Sequence, residues 1–278
     1  MQSKPELEVI VPEWNAPENI RAFFTLRSGG MSAGAYGDKD GFCGLNLGNH
    51  VGDNKYSVRG NRRIVTDMLG AEPKWLSQVH SSRVVRAEDN NTEEQADAEF
   101  TTAAGIPCVV MTADCVPVLL CDKKGTIVAA AHAGWKGLAD GVLQTTVAAM
   151  RKEIGDEEEI IAWIGPHIRK DHFEVRVDVA DYYRASAVKA AADDALESIG
   201  EGGWHLDLAR FAKEALKQAG VTEVTDCERD TYSDPEHFYS YRRDKVTGAM
   251  VHSSASDSSR RNSSEISWYY IQPGLQIN

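Results

Sequence analysis

The chain of 278 residues reads as an α+β protein, a layered α/β single domain with a mixed β-sheet over residues 1–278. Two observations predict this. Strand-like and helix-like segments are interspersed without strict alternation. The runs PCVVMTADCVPVLLCD (107–122) and GTIVAAAHAGWKG (125–137) are almost continuously apolar, as strands covered on both faces are. A chain of this length can bury one large core or two modest ones, and no internal repeat divides it.

From the start of the chain, Arg27 to Asn54 is rich in Gly, Asn and Asp, which suits irregular backbone. A helix is expected over Ser57–Leu69, stopped by Gly70 and Pro73. WLSQVHSSRVVRAE reads as a strand, a turn at Ser81-Ser82 and a second strand. The acidic NNTEEQADAEF reads as a loop or helix entrance. The first apolar run should form two β pieces broken at Ala113-Asp114 and Pro117; the second should form a buried strand running into Gly134. Leu138–Ile154 is helical by pattern, and IIAWIGPHI is a strand closed by Gly165-Pro166. The Ala-rich residues 179–199 read as one helix ending at Gly200, and residues 205–220 as another ending at Gly220. VTEVTDCERDTY begins as a strand, and HFYSYRRDKVTGAM reads as strand and loop. Residues 252–265 form a Ser-rich stretch expected to be a mobile loop or insertion, before ISWYYIQ returns to strand.

Net charge is -12, with Asp+Glu 42 against Lys+Arg 30. That balance argues against broad nucleic-acid binding, which needs clustered cations, yet leaves room for a small anionic ligand. No apolar run reaches membrane-spanning length and the N-terminus lacks the order of a secretory signal. Five cysteines at irregular spacing fit a reducing, cytoplasmic setting with thiols that are free, buried or metal-bound. No motif specifies an oligomeric state.

His80, Cys115 and His132 each stand where a strand gives way to a turn, a common place for functional side chains. Thiolate and imidazole together suit zinc or copper, and three protein ligands leave one position open for chemistry. Spacing alone leaves a second reading open: a Cys among apolar residues is more often an inert core thiol, and a His near a turn simply hydrogen-bonded.

Taken together, GLNLGNHVGDN, NRR, WLSQVHSSRVV, TADCVPVLLCD, VAAAHAGWKG, WIGPHI and FYSYRRDKVTG resemble, in that order, the YfiH family, also called the laccase-domain or multi-copper polyphenol oxidase family. The resemblance runs from about Arg27 to the C-terminus. It implies that His80, Cys115 and His132 bind zinc, or copper in some preparations. It also implies an enzyme that cleaves purine nucleosides with phosphate, namely adenosine, inosine, guanosine and methylthioadenosine, with adenosine deamination as an associated activity. Asn46 and His50 fall in the family's substrate-pocket loop. Arg62 and Arg242 are candidates for gripping phosphate or ribose, since guanidinium suits oxyanions, although each could equally form an ordinary salt bridge. The acid that protonates the departing base could be His50 or Asp114; Asp114 could instead orient a ligand.

Departures from the family pattern include the inserted Ala35–Cys43, Asp171-His172-Phe173 after the GPHI piece, Asp230-Thr231-Tyr232, and Ala249 after the TG pair. Two other readings carry their own marks. A copper-dependent polyphenol oxidase would use the same triad with further histidines, but the tight His-X-His pairs of multicopper oxidases are missing. A metal-free hydrolase would use Cys115 as nucleophile and His132 as base.

Overall fold

The computed structural model describes residues 7–91 and 93–256. In chain order, β1 (Val9–Ile10), β2 (Ile20–Thr25) and β3 (Ser28–Ser32) precede α1 (Lys55–Leu69). Short strands follow: β4 (Leu76–Ser77), β5 (Val84–Arg86), β6 (Glu94–Gln95) and β7 (Ala98–Thr101). The two apolar runs supply β8 (Cys108–Thr112), β9 (Val116–Asp122) and β10 (Val128–Ala133). Then come α2 (Trp135–Ala139), α3 (Val142–Ile154), β11 (Ile160–Ile164), β12 (Glu174–Arg176), α4 (Val177–Arg184) and α5 (Lys189–Ala195). The remainder is β13 (Leu196–Gly200), β14 (Gly203–Leu206), α6 (Leu208–Gln218), β15 (Glu223–Asp226), α7 (Tyr241–Asp244) and β16 (Met250–Ser256).

A six-stranded mixed sheet, ordered β15-β11-β9-β10-β7-β5, lies against a four-stranded antiparallel sheet ordered β1-β2-β16-β8. Side-chain alternation assigns the faces. Val118 and Leu120 of β9 pack with Leu143, Val147 and Phe211 of the helices. Leu119 and Cys121 point the other way, to Phe24, Val110 and Met250 of the second sheet. That second sheet buries its outer face, through Phe23, Val109 and Val251, against Val65 and Leu69 of α1. The order is helix, sheet, sheet, helices. Both sheets are therefore covered on two sides, which is why β8, β9 and β10 lack polar alternation. The mixed α/β architecture expected from the sequence holds.

Local signals explain several boundaries. Asn54 caps α1 by accepting from Tyr56 N, and Gly70 ends it in the left-handed region at φ 72°. Asp207 caps α6 by accepting from Arg210 N, which leaves His205 and Leu206 in β14 rather than in the expected helix.

Other expectations are corrected. Pro117 does not break a strand; it lies inside β9, one residue beyond the last β9–β11 pair, where its missing N–H interrupts no ladder bond. Residues around Ser81-Ser82 form no hairpin, because β4 pairs with β6 and β5 with β7, both in parallel. The acidic stretch is not a helix entrance but supplies β6 and β7. The Leu138–Ile154 helix starts instead at Trp135 and breaks between α2 and α3. The Ala-rich helix is two helices followed by β13, which turns back on β14 through Glu201-Gly202, both at positive φ. The piece read as strand and loop contains α7. Of the Ser-rich stretch, residues 252–256 are not a loop: they belong to β16, the strand between β2 and β8. The rest of that stretch, and ISWYYIQ, lie outside the described residues.

Two consequences can be measured. Leu120→Ala, which empties a fully buried site in β9, should lower unfolding free energy by about 2–5 kcal/mol in urea titration. Glu99 of β7 is fully buried; burial raises its carboxyl to about 8 despite hydrogen bonds from Val109 and Asn90. The unfolded chain therefore sheds this proton first, and stability should fall from about pH 5 to about pH 8 and then level off. Glu99→Gln should lack that slope, so its urea midpoint should gain on the wild type as pH rises through this window.

Candidate metal centre and its cavity

The β9–β10 register creates the centre. Val116 faces Ala133 and Pro117 faces His132, so Cys115, just before β9, meets the end of β10 where His132 stands. His80 arrives from the loop after β4, at φ 59°. The ligand atoms of His80, Cys115 and His132 all lie within 4.8 Å of one another. Cys115 Sγ is 3.6 Å from His80 Nε2, and the two imidazole rings are 4.8 Å apart at 79°. Gly134 makes the approach possible: a Cβ there would lie 2.3 Å from His80 Cδ2 and 3.2 Å from Cys115 Sγ.

Asp97, which sequence reasoning missed, holds the arrangement. Its fully buried carboxylate accepts from His132 Nδ1 at 2.8 Å. It also accepts from the backbone N–H groups of Val79, His80 and Ser81, at 3.2, 2.9 and 2.7 Å, and from Ser81 Oγ at 2.7 Å. With Nδ1 committed to Asp97, His132 turns Nε2 toward the thiol. Burial alone would raise the Asp97 carboxyl, yet the bonds from His132 and Ser81 bring it down to about 2.

The same balance operates on the ligands. Burial pushes the Cys115 thiol up, but the field of His132 and hydrogen bonds from both imidazoles outweigh it and lower the thiol. Burial pulls His132 down, and Cys115 with Asp97 raise it instead. Two imidazoles and a thiol that readily ionises are a donor set that fits a borderline-soft divalent ion such as zinc, with one coordination position left over. Among the described residues these three side chains form one group that could hold a metal ion.

The triad opens into a cavity of about 730 Å³ whose lining includes Met111, Trp135, Ile168, Phe173 and Val179. Such a volume and mostly apolar wall suit a small organic ligand. His50 and Arg242 also line it. Partial burial, then the charges of Arg62, His132 and His80, lower His50. Arg242 stacks 4.7 Å over Phe173 and donates from Nη1 to Glu174 O at 2.9 Å. Asp114, at φ 89°, accepts from Thr231 Oγ1 (2.6 Å), Ser240 Oγ (3.0 Å) and Arg242 N (2.6 Å). It fastens the α7 turn beside Cys115. Burial raises its carboxyl, against these bonds.

Two expected substrate residues stand elsewhere. Asn46 is fully buried; its Oδ1 accepts from Gly48 N and Ala249 N, and its Nδ2 donates to Asp53. It shapes the wall from behind. Arg62 does not line the cavity: Nε donates to Leu47 O at 2.9 Å and the guanidinium lies 4.3 Å over Trp75. Burial lowers its pKa to about 10. Asn46 is thus engaged within the protein, while Arg62 commits Nε to Leu47 and sets Nη1 3.8 Å from the Glu93 carboxylate.

Residues 21–255 match the family described as multi-copper polyphenol oxidoreductase laccase, and the chain belongs to that family. Its members include relatives named YfiH. The chain is 40% identical over 248 residues to the Escherichia coli protein named purine nucleoside phosphorylase YfiH, covering 88% of this chain and 97% of that protein. A Pseudomonas aeruginosa purine nucleoside phosphorylase is 43% identical over 242 residues, covering 87% and 96%. A crystal structure of a Neisseria meningitidis protein, 42% identical, superimposes with a TM-score of 0.82, covering 90% of this chain and 99% of that one.

Asp97→Asn keeps the shape of the side chain but removes the charge that orients His132. Metal affinity, measured by competition with a chromogenic chelator, should fall about 10–100-fold while the circular dichroism spectrum is unchanged.

Proposed function

We propose that the chain is a zinc-dependent purine nucleoside enzyme, cleaving adenosine, inosine, guanosine or methylthioadenosine with phosphate and deaminating adenosine at the same centre. The observation that carries this is the His80-Cys115-His132 group at a mostly apolar cavity large enough for a nucleoside. The relatives' names support the same chemistry. No helix among the described residues is long and apolar enough to cross a membrane; a cytoplasmic location fits an enzyme acting on nucleosides and free phosphate.

His80, Cys115 and His132 would hold the ion. Zinc supplies Lewis acidity and a lowered pKa for an activated water. The chain's residues do the rest. Apolar side chains such as Met111, Phe173 and Val179 enclose the heterocycle and exclude bulk water. In phosphorolysis a phosphate oxygen bonds to the ribose anomeric carbon as the glycosidic C–N bond breaks. The electron pair passes to the base nitrogen, which takes up a proton. His50, on the cavity wall, suits that delivery better than Asp114, whose oxygens are occupied by three donors. Arg242 keeps guanidinium donors available for an oxyanion.

A second reading has its own observation: Asp97, His132 and Cys115 line up as orienter, base and nucleophile. The two separate cleanly. In phosphate buffer, mass spectrometry should detect free base and ribose phosphate from inosine, with turnover abolished by chelation and restored by zinc. Cys115→Ser and His132→Ala should each lower kcat/KM by about two orders of magnitude or more. Turnover that survives chelation and is lost on alkylation of Cys115 would favour the metal-free hydrolase. Phenol oxidation dependent on stoichiometric copper would favour the oxidase.

A further inference from the structure

The loop joining α7 to β16, Lys245 to Ala249, forms one continuous stretch of the cavity lining. It offers more hydrogen-bond donors than the protein uses. Among the described residues, the Lys245 ammonium has no partner, and neither do the backbone N–H groups of Thr247 and Gly248. Thr247 is only 5% exposed, and its buried hydroxyl also lacks a partner. Neighbouring residues differ sharply. Arg243 donates to the carbonyls of Thr231, Tyr232 and Phe238 and to Asp244. Ala249 N donates to Asn46 Oδ1. Lys245 is exposed, so its ammonium is solvated, whereas Thr247 and Gly248 are buried with their N–H groups and the Thr247 hydroxyl unpaired; nearly all buried polar groups in proteins are paired. Successive N–H groups beside a cation form a surface suited to an oxyanion.

The loop is also held firmly in place. A Cβ at Gly248 would lie 2.7 Å from the Tyr239 ring and 2.8 Å from Asn46 Cβ, so the backbone is pressed against buried side chains. Lys245 leaves α7 at φ 63°, with its N–H donating to Tyr241 O. Three residues earlier, Arg242 N is bound to Asp114, the neighbour of Cys115. The donor loop is therefore tied to the thiol side of the candidate metal centre.

We propose that Lys245, Thr247 and Gly248 form the subsite for inorganic phosphate, with Arg242 at its edge, in place of the inward-turned Arg62. This assignment rests on the phosphorolysis reading above. It is chemically specific: a tetrahedral oxyanion accepts from the ammonium, from two backbone N–H groups and from the Thr247 hydroxyl, and no redox partner is needed.

The test varies inorganic phosphate at saturating inosine with zinc-loaded protein. Lys245→Gln should raise the KM for phosphate roughly tenfold or more. The KM for inosine should stay within about twofold of the wild type, with unchanged zinc content. Thr247→Val, which keeps the side-chain shape, should shift the phosphate KM in the same direction by a smaller factor. Binding without turnover is read from the rise in Tm that inorganic phosphate produces in the wild type. That rise should vanish in Lys245→Gln and persist in Arg62→Gln; Tm in phosphate-free buffer controls for folding. An unchanged phosphate KM with an intact Tm rise in Lys245→Gln overturns the subsite while phosphorolysis stands. A Tm rise lost in Lys245→Gln, in a protein that cleaves no nucleoside, supports the subsite and overturns the reaction assigned to it.

Discussion

One buried carboxylate organises the centre. Asp97 sits between β6 and β7 and accepts five hydrogen bonds, one from the His132 ring and four from the loop that carries His80. A carboxylate taken out of water is costly unless its oxygens are satisfied, and here the satisfying donors are the elements that must be positioned. The backbone after β4 wraps the carboxylate instead of forming a hairpin, and that wrapping sets the positive φ of His80. One charge thus couples the angle of one imidazole to the tautomer of another.

The scaffold adds the third ligand through register. Because β9 and β10 are paired to their ends and covered on both faces, a slip of one residue would turn apolar side chains off their cores. The same constraint holds Cys115 opposite the end of β10. Gly134 then provides the missing volume. A donor set assembled in this way is rigid before any ligand enters, which is the condition for selecting a metal by geometry.

Much of this could be read in the amino-acid order, for physical reasons. Continuous apolar runs are a direct mark of strands buried on two faces, and Cys115 and His132 stand at the facing ends of β9 and β10, where side chains can leave the core. Asp97 left no such mark: a carboxylate in an acidic stretch looks solvated until the donors around it are seen. The β16 segment was hidden because Ser253 is buried without being apolar. The turn at Gly200–Gly203 resembled a helix stop, since glycine serves both a C-cap and a tight hairpin. Asn46 and Arg62 occupy motif positions, and only the direction of their polar atoms separates shaping the wall from touching a ligand.

The central place of β16 has a consequence for how the molecule assembles. Thr25 and Val251 are hydrogen-bonded although 226 residues apart, and β2 reaches β8 only through the strand between them. Such non-local pairing slows folding, because closing the long loop costs entropy before any contact compensates. Half of the sandwich must therefore await a segment synthesised long after β2 and β8, and the loop leading into that segment is the one that completes the cavity. Until then the nascent chain exposes two unpaired strand edges, the state in which chaperone capture or misassembly is most favoured.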